Sequence, residues 1–99
     1  MKANVYILHA KSVDRFYIGS CLDVELRIKQ HNENLLGKAF TNIADDWRLF
    51  WKLEELEHTQ AREIESHIKK MKSRVYIQNL AQFPEMADTL LEKYPAINC

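Results

Sequence analysis

Two short apolar runs, Asn4-Val5-Tyr6-Ile7-Leu8 and Phe16-Tyr17-Ile18-Gly19, constrain the fold more than anything else in the chain. Each is rich in β-branched and aromatic residues, and the polar stretch Lys11-Ser12-Val13-Asp14-Arg15 lies between them. Runs of this kind on either side of a polar turn fold as a β-hairpin. Side chains alternate faces along a strand. Tyr6 and Leu8 therefore share one face of the first strand, and Tyr17 and Gly19 share one face of the second. A phenol on each strand, with a glycine two residues past the second, makes a small polar site on a rigid sheet. Glycine there leaves room for a ligand to approach the backbone. Taken alone, the hairpin is read more plainly as packing of two ordinary strand tyrosines.

With 99 residues, the chain is expected to form a single domain. No apolar run reaches the ~20 residues of a membrane span. The opening Met1-Lys2-Ala3-Asn4 runs straight into a strand without a signal-peptide pattern. Cys21 and Cys99 suggest no disulfide framework, so a reducing cytoplasm is the expected setting. Lys and Arg number 14, equal to Asp and Glu, and this balance argues against a strongly basic nucleic-acid binder. The distribution is less even. Between Arg62 and Arg74 stand five cations (Arg62, Lys69, Lys70, Lys72, Arg74) against two anions, Glu63 and Glu65. A basic strip and a solvated helix face both fit that pattern.

After the hairpin, Asp23 is a good N-cap and Glu25 suits the first turn of a helix over 24 to about 34. Val24, Ile28 and Leu35 form its packing stripe. Arg27 and His31, four residues apart, sit one above the other on a neighbouring face. Gly37 breaks the helix, and Asp45-Asp46 reads as a turn. Trp47, Leu49, Trp51 and Leu53 then alternate with Arg48, Phe50 and Lys52, which predicts a third strand over 47–53 with one strongly apolar face. Thr59 is the expected N-cap of a helix to Lys72, with Ala61, Ile64, Ile68 and Met71 as its buried stripe. Glu65 lies at the edge of that stripe and Glu63 further toward solvent. A carboxylate at such an edge needs a partner or a metal; Lys69, its i+4 neighbour, is the plain candidate. Val75 to Leu80 add a further helical turn or two. Pro84 opens a last helix with Ala87, Leu90, Leu91 and Tyr94 on one face.

The order is strand with Tyr6, strand with Tyr17-Ile18-Gly19, helix with Arg27 and His31, third strand, helix with Glu65. In this the chain resembles the GIY-YIG nuclease superfamily, and in particular its small single-domain members. The strings that carry the resemblance are Val5-Tyr6-Ile7-Leu8, Phe16-Tyr17-Ile18-Gly19-Ser20, Asp23 to Asn32, and Ala61 to Arg74. The resemblance implies an α+β fold: a small three-stranded antiparallel sheet flanked by helices. It covers roughly residues 4 to 80 and implies a nuclease-like domain over 1–80; the amphipathic pattern of 81–99 is expected to make a helix packed on the same domain. The resemblance also implies one site that cuts phosphodiesters with one divalent ion, Mg²⁺ or Mn²⁺. Tyr6, Tyr17, Arg27, His31 and Glu65 match the catalytic positions, with Glu65 as the metal ligand. Gly19, Lys69, Lys70, Lys72 and Arg74 are the expected substrate contacts. Asn79 corresponds weakly to an asparagine that some relatives use. Two departures stand out. Asn4-Val5 replace the Gly-Ile of the first motif, and Ala39-Phe40-Thr41-Asn42 lacks the basic segment that many relatives carry.

The residue types suit the chemistry. One carboxylate with several waters suits Mg²⁺, and Arg27 offers a planar, permanently charged fork to phosphate oxygens. Tyr6 is a poor base unaided, but beside Arg27 and His31 it becomes able to orient or deprotonate a water. Glu65 is expected to reach the sheet face that bears Tyr6 and Tyr17. The expected partner is nucleic acid, DNA before RNA, and the acidic tail leaves a second copy or another protein open as a partner. The alternative is a non-cleaving or partner-dependent nucleic-acid-binding module of the same fold.

Overall fold

The first apolar run is buried on both faces because it becomes the middle strand. The computed structural model describes residues 2–33 and 40–96. Among these, β1 (Ala3–Ala10), β2 (Arg15–Cys21) and β3 (Trp47–Leu56) form one antiparallel sheet in the order β2-β1-β3. The helices are α1 (Val24–Asn32), α2 (His58–Met71), α3 (Arg74–Gln82) and α4 (Pro84–Lys93), with a short 3-10 turn at Phe40–Ile43. The α+β architecture expected from the sequence is thus the one observed. Leu35 and Gly37, read above as helix stripe and helix breaker, lie outside the described residues, as does Cys99.

Register assigns the two faces. Tyr6 stands opposite Gly19 and Lys52, and Ile7 opposite Ile18 and Trp51. One face carries Ala3, Val5 and Ile7 and is covered by α2, α3 and α4 through Ala61, Ile64, Ile68, Ile77, Leu80 and Leu90. The other carries Tyr6, Leu8 and Ala10 and packs with Val24, Ile28 and Trp47. Each Val, Leu or Ile side chain fully buried among these contributes roughly 1.5–3 kcal/mol.

The third strand departs from the expected single apolar face. It runs three residues beyond Leu53, to Leu56, and its register on β1 shifts twice. Ile7 pairs with Trp51 but Leu8 with Leu49, so Phe50 is an extra residue. Val5 pairs with Leu53 but Ala3 with Leu56, which leaves a second extra residue beside Glu55, whose φ is +62°. An extra residue reverses the alternation. Trp47 therefore joins the Tyr6 face, while Trp51 and Leu53 join the Val5 face.

Polar clamps hold the layers. Asn32 at the end of α1 donates to the Trp47 carbonyl (2.9 Å) and accepts from the Trp47 N–H (2.7 Å). The hairpin turn is pinned twice. Ser12 donates its N–H and hydroxyl to Asp46 at 2.9 and 2.7 Å, and Arg74 donates to the Asp14 carboxylate at 2.7 Å. Asp23 caps α1 as expected, accepting from the Leu26 N–H at 3.1 Å. The cap of α2 is Glu57 rather than Thr59, with Gln60 accepting from the Glu57 N–H at 3.2 Å. Met71, placed in the buried stripe by periodicity, is 44% exposed, because α2 ends there and Lys72 turns left-handed at φ 47°.

Candidate active site

Tyr6 projects from the middle strand toward α1, where its hydroxyl and His31 Nε2 share a buried hydrogen bond of 3.1 Å. The Tyr17 ring, on the same face, lies 6.2 Å from the Tyr6 ring and 4.8 Å from the His31 ring. The room above Gly19 is taken by this cluster. A Cβ at Gly19 would stand 2.6 Å from the Tyr6 hydroxyl oxygen and 3.1 Å from Tyr17 Cε2. The glycine thus makes space for a phenol, not for a ligand at the backbone as expected.

Burial governs the protonation of these groups. It drives the Tyr6 phenol far above its ordinary range, helped by the charges of Tyr17, Cys21 and Glu65 and opposed by Arg27. It also lowers the His31 imidazole, with Arg27 adding to the effect. Desolvation disfavours whichever form is charged, so both partners of the hydrogen bond are neutral at pH 7. Arg27 does favour the phenolate, as anticipated, but burial outweighs it.

Arg27, half-buried on α1, opens on a cavity of about 200 Å³ that also touches Ser20, Cys21 and Arg62. Burial raises the Cys21 thiol in this cavity, and Arg27 lowers it. Glu65 approaches from the other side. Helix α2 packs on the face opposite the tyrosines, with Glu65 close enough for its charge to act on the Tyr6 phenol. Glu65 borders a cleft of about 530 Å³ with Ser20, Arg62, Ser66, Lys69, Lys70 and Lys72. Ser20 and Arg62 line both cavities, so the two adjoin at the end of the edge strand β2. The Glu65 side chain is 20% exposed, and Lys69 Nζ donates to it at 2.6 Å.

Of the expected substrate contacts, Lys69, Lys70 and Lys72 line the Glu65 cleft. Arg74 is engaged elsewhere: besides Asp14, it lies over the Phe16 ring, 5.1 Å from its centroid. Ser20, Arg62 and Ser66 were missed as site residues. Arg62 is legible from spacing, since it stands three residues before Glu65 on the same helix; Ser66, at i+1, and Ser20, on another element, are not. Among the described residues no three His, Cys, Asp or Glu side chains form a metal cluster. A lone carboxylate in an open cleft nevertheless fits Mg²⁺ or Mn²⁺ held chiefly by water and substrate phosphate.

The family model of the GIY-YIG catalytic domain matches residues 2–79. Among solved structures, the solution NMR structure of the UPF0213 protein BH0048 from Bacillus halodurans is similar, with a TM-score of 0.53 at 26% identity. The alignment covers 98% of this chain and 100% of that one. No curated protein matches the chain. The match to the family model runs from the paired tyrosine strands through the helix of Glu65, and the chain belongs to the GIY-YIG family.

Proposed function

We propose that this protein is a divalent-metal-dependent endonuclease that hydrolyses phosphodiester bonds in nucleic acid, with DNA as the first substrate to test. One observation carries the reading: a single carboxylate, Glu65, stands in a cleft with four cations, Arg62, Lys69, Lys70 and Lys72, beside the cavity of Arg27. A surface built only to hold phosphate is weakened by a carboxylate at its centre. A bound dication reverses that sign.

Glu65 is the residue that would hold the ion, which when bound supplies Lewis-acid stabilisation at the phosphate and the leaving oxygen. The Arg27 guanidinium grips the scissile phosphate and meets the charge that develops on it. Neutral Tyr6 and His31 form a short proton path, with the phenol orienting the attacking water and the imidazole able to take up a proton. Tyr17 positions the phosphate or the water, and the lysines of α2 hold flanking phosphates. A cytoplasmic setting belongs to the same proposal; among the described residues no helix is long and apolar enough to cross a membrane.

The test is cleavage of a panel of branched, nicked and single-stranded substrates with and without Mg²⁺. Glu65→Gln is expected to bring cleavage to background while metal-free binding stays equal or tightens slightly. Glu63→Gln, exposed and outside the Glu65 cleft, should behave as wild type. A fully active Glu65→Gln refutes the assignment. A second reading, a binding module that does not cut, draws on the Lys69 ion pair that neutralises Glu65. It requires wild-type binding with no cleavage under any divalent ion.

A further inference from the structure

The Glu65 cleft carries one negative charge against four positive ones, and the nearest of these cations already occupies the carboxylate. Lys69 Nζ lies 2.6 Å from Glu65 Oε2, one helical turn along α2. The other cations, Arg62, Lys70 and Lys72, face the same space. A dication entering the cleft without substrate must displace the ammonium and stand in a net positive field. Among the described residues Glu65 belongs to no group of three or more His, Cys, Asp or Glu side chains that could hold a metal. The free protein is thus poorly furnished to hold a metal, although its carboxylate fits one.

Phosphate changes both terms. A nucleic-acid strand in the cleft neutralises the surrounding cations and offers oxygen ligands of the kind that complete a Mg²⁺ shell. It also gives the Lys69 ammonium an alternative partner. The Lys69 side chain is 51% exposed and has the flexible stem needed to swing from carboxylate to phosphate.

Resting on the nuclease reading above, we infer that Lys69 is an electrostatic placeholder on Glu65, released to substrate phosphate, so that metal and nucleic acid bind cooperatively. Lys69 acts here as a positioning residue: it keeps the carboxylate occupied until a phosphate arrives. Linkage makes the effect reciprocal, so the metal raises nucleic-acid affinity by the same factor. The contribution of Lys69 alone is about two- to fivefold in affinity, the range that an exposed ion pair is worth.

The experiment is Mn²⁺ titration followed by electron paramagnetic resonance, with no turnover involved. Without nucleic acid, Lys69→Gln should bind Mn²⁺ about two- to fivefold more tightly than wild type. The gain should vanish in Lys69→Gln combined with Glu65→Gln. With a short phosphorothioate DNA duplex, and with Glu65→Gln plus the same duplex as background, wild type should gain more Mn²⁺ affinity than Lys69→Gln does. Unchanged Mn²⁺ affinity in Lys69→Gln without DNA overturns the placeholder role, as does an equal gain on adding DNA to the two proteins. Failure of the nuclease reading looks different: Mn²⁺ bound with DNA is then the same in wild type and Glu65→Gln, whatever Lys69→Gln does alone.

Discussion

Gly19 faces Tyr6 across the β1–β2 ladder with no space to spare. An added Cβ would meet the Tyr6 hydroxyl oxygen at 2.6 Å, its Cζ at 2.8 Å and Tyr17 Cε2 at 3.1 Å. The Tyr6 ring has nowhere to withdraw, being 1% exposed and bonded to His31. Overpacking of this kind costs about 1–3 kcal/mol. Gly19→Ala is therefore expected to lower the unfolding free energy by that amount in urea titration, and to impair any cleavage by moving the phenol off His31. Adding Tyr6→Phe should recover part of the stability, because the hydroxyl is the nearest atom. A Gly19→Ala protein as stable as wild type would show that the cluster yields. A glycine after a strand tyrosine is visible in sequence. Which atom fills its space is not, because the answer depends on the residue opposite.

At the scale of elements, the bulged strand β3 decides the layout. Its two extra residues let Trp47 seal one face while Trp51 and Leu53 seal the other. Glu55, in the second bulge, has a left-handed backbone at φ 62° with an exposed side chain. That conformation costs a residue with a Cβ about 1–2 kcal/mol, and glycine adopts it freely, at some entropic cost in the unfolded chain. Glu55→Gly is expected to stabilise the protein by about 0.5–1 kcal/mol. Glu54→Gly, one residue earlier and without positive φ, should destabilise it. The two denaturation midpoints check this, and the reverse order would mean that the bulge stores no strain. Alternation of Trp47, Leu49, Trp51 and Leu53 predicted the strand correctly and its faces wrongly, since periodicity does not register an inserted residue.

The whole molecule depends on its last helix more than the position of the motifs suggests. Leu90 of α4 is 2% exposed within the core shared by α2, α3 and the sheet, and Met86, Leu91 and Tyr94 pack around it. Tyr94 adds two ties to α2: its carbonyl accepts from Gln60 Nε2 at 3.0 Å, and its hydroxyl and His67 Nδ1 share a bond of 2.9 Å. Leu90→Ala is expected to cost about 2–5 kcal/mol, a large part of the roughly 5–15 kcal/mol that holds a domain of this size. A chain ending at Ala81 should lose more than that, measured as thermal unfolding, although every motif residue remains. A truncated chain with the wild-type midpoint would make the tail an appendage.

The sequence by itself determined the elements and the family. The hairpin, the Asp23 cap, the Pro84 helix start and the Ala61–Ile64–Ile68 stripe follow from interactions within a few residues, and local physics leaves a local pattern. Only the tertiary structure decided what those elements bring together. Strand order put β1 in the middle, so that Tyr6 meets His31 across 25 residues of chain. It set α2 on the face away from the tyrosines, so that Glu65 and Ser20 border one cleft at the end of β2. It also assigned Asn32 to both backbone groups of Trp47. These contacts answer to register and to the pairing of buried polar groups, which are satisfied over the whole fold at once and leave no periodic trace in any one segment.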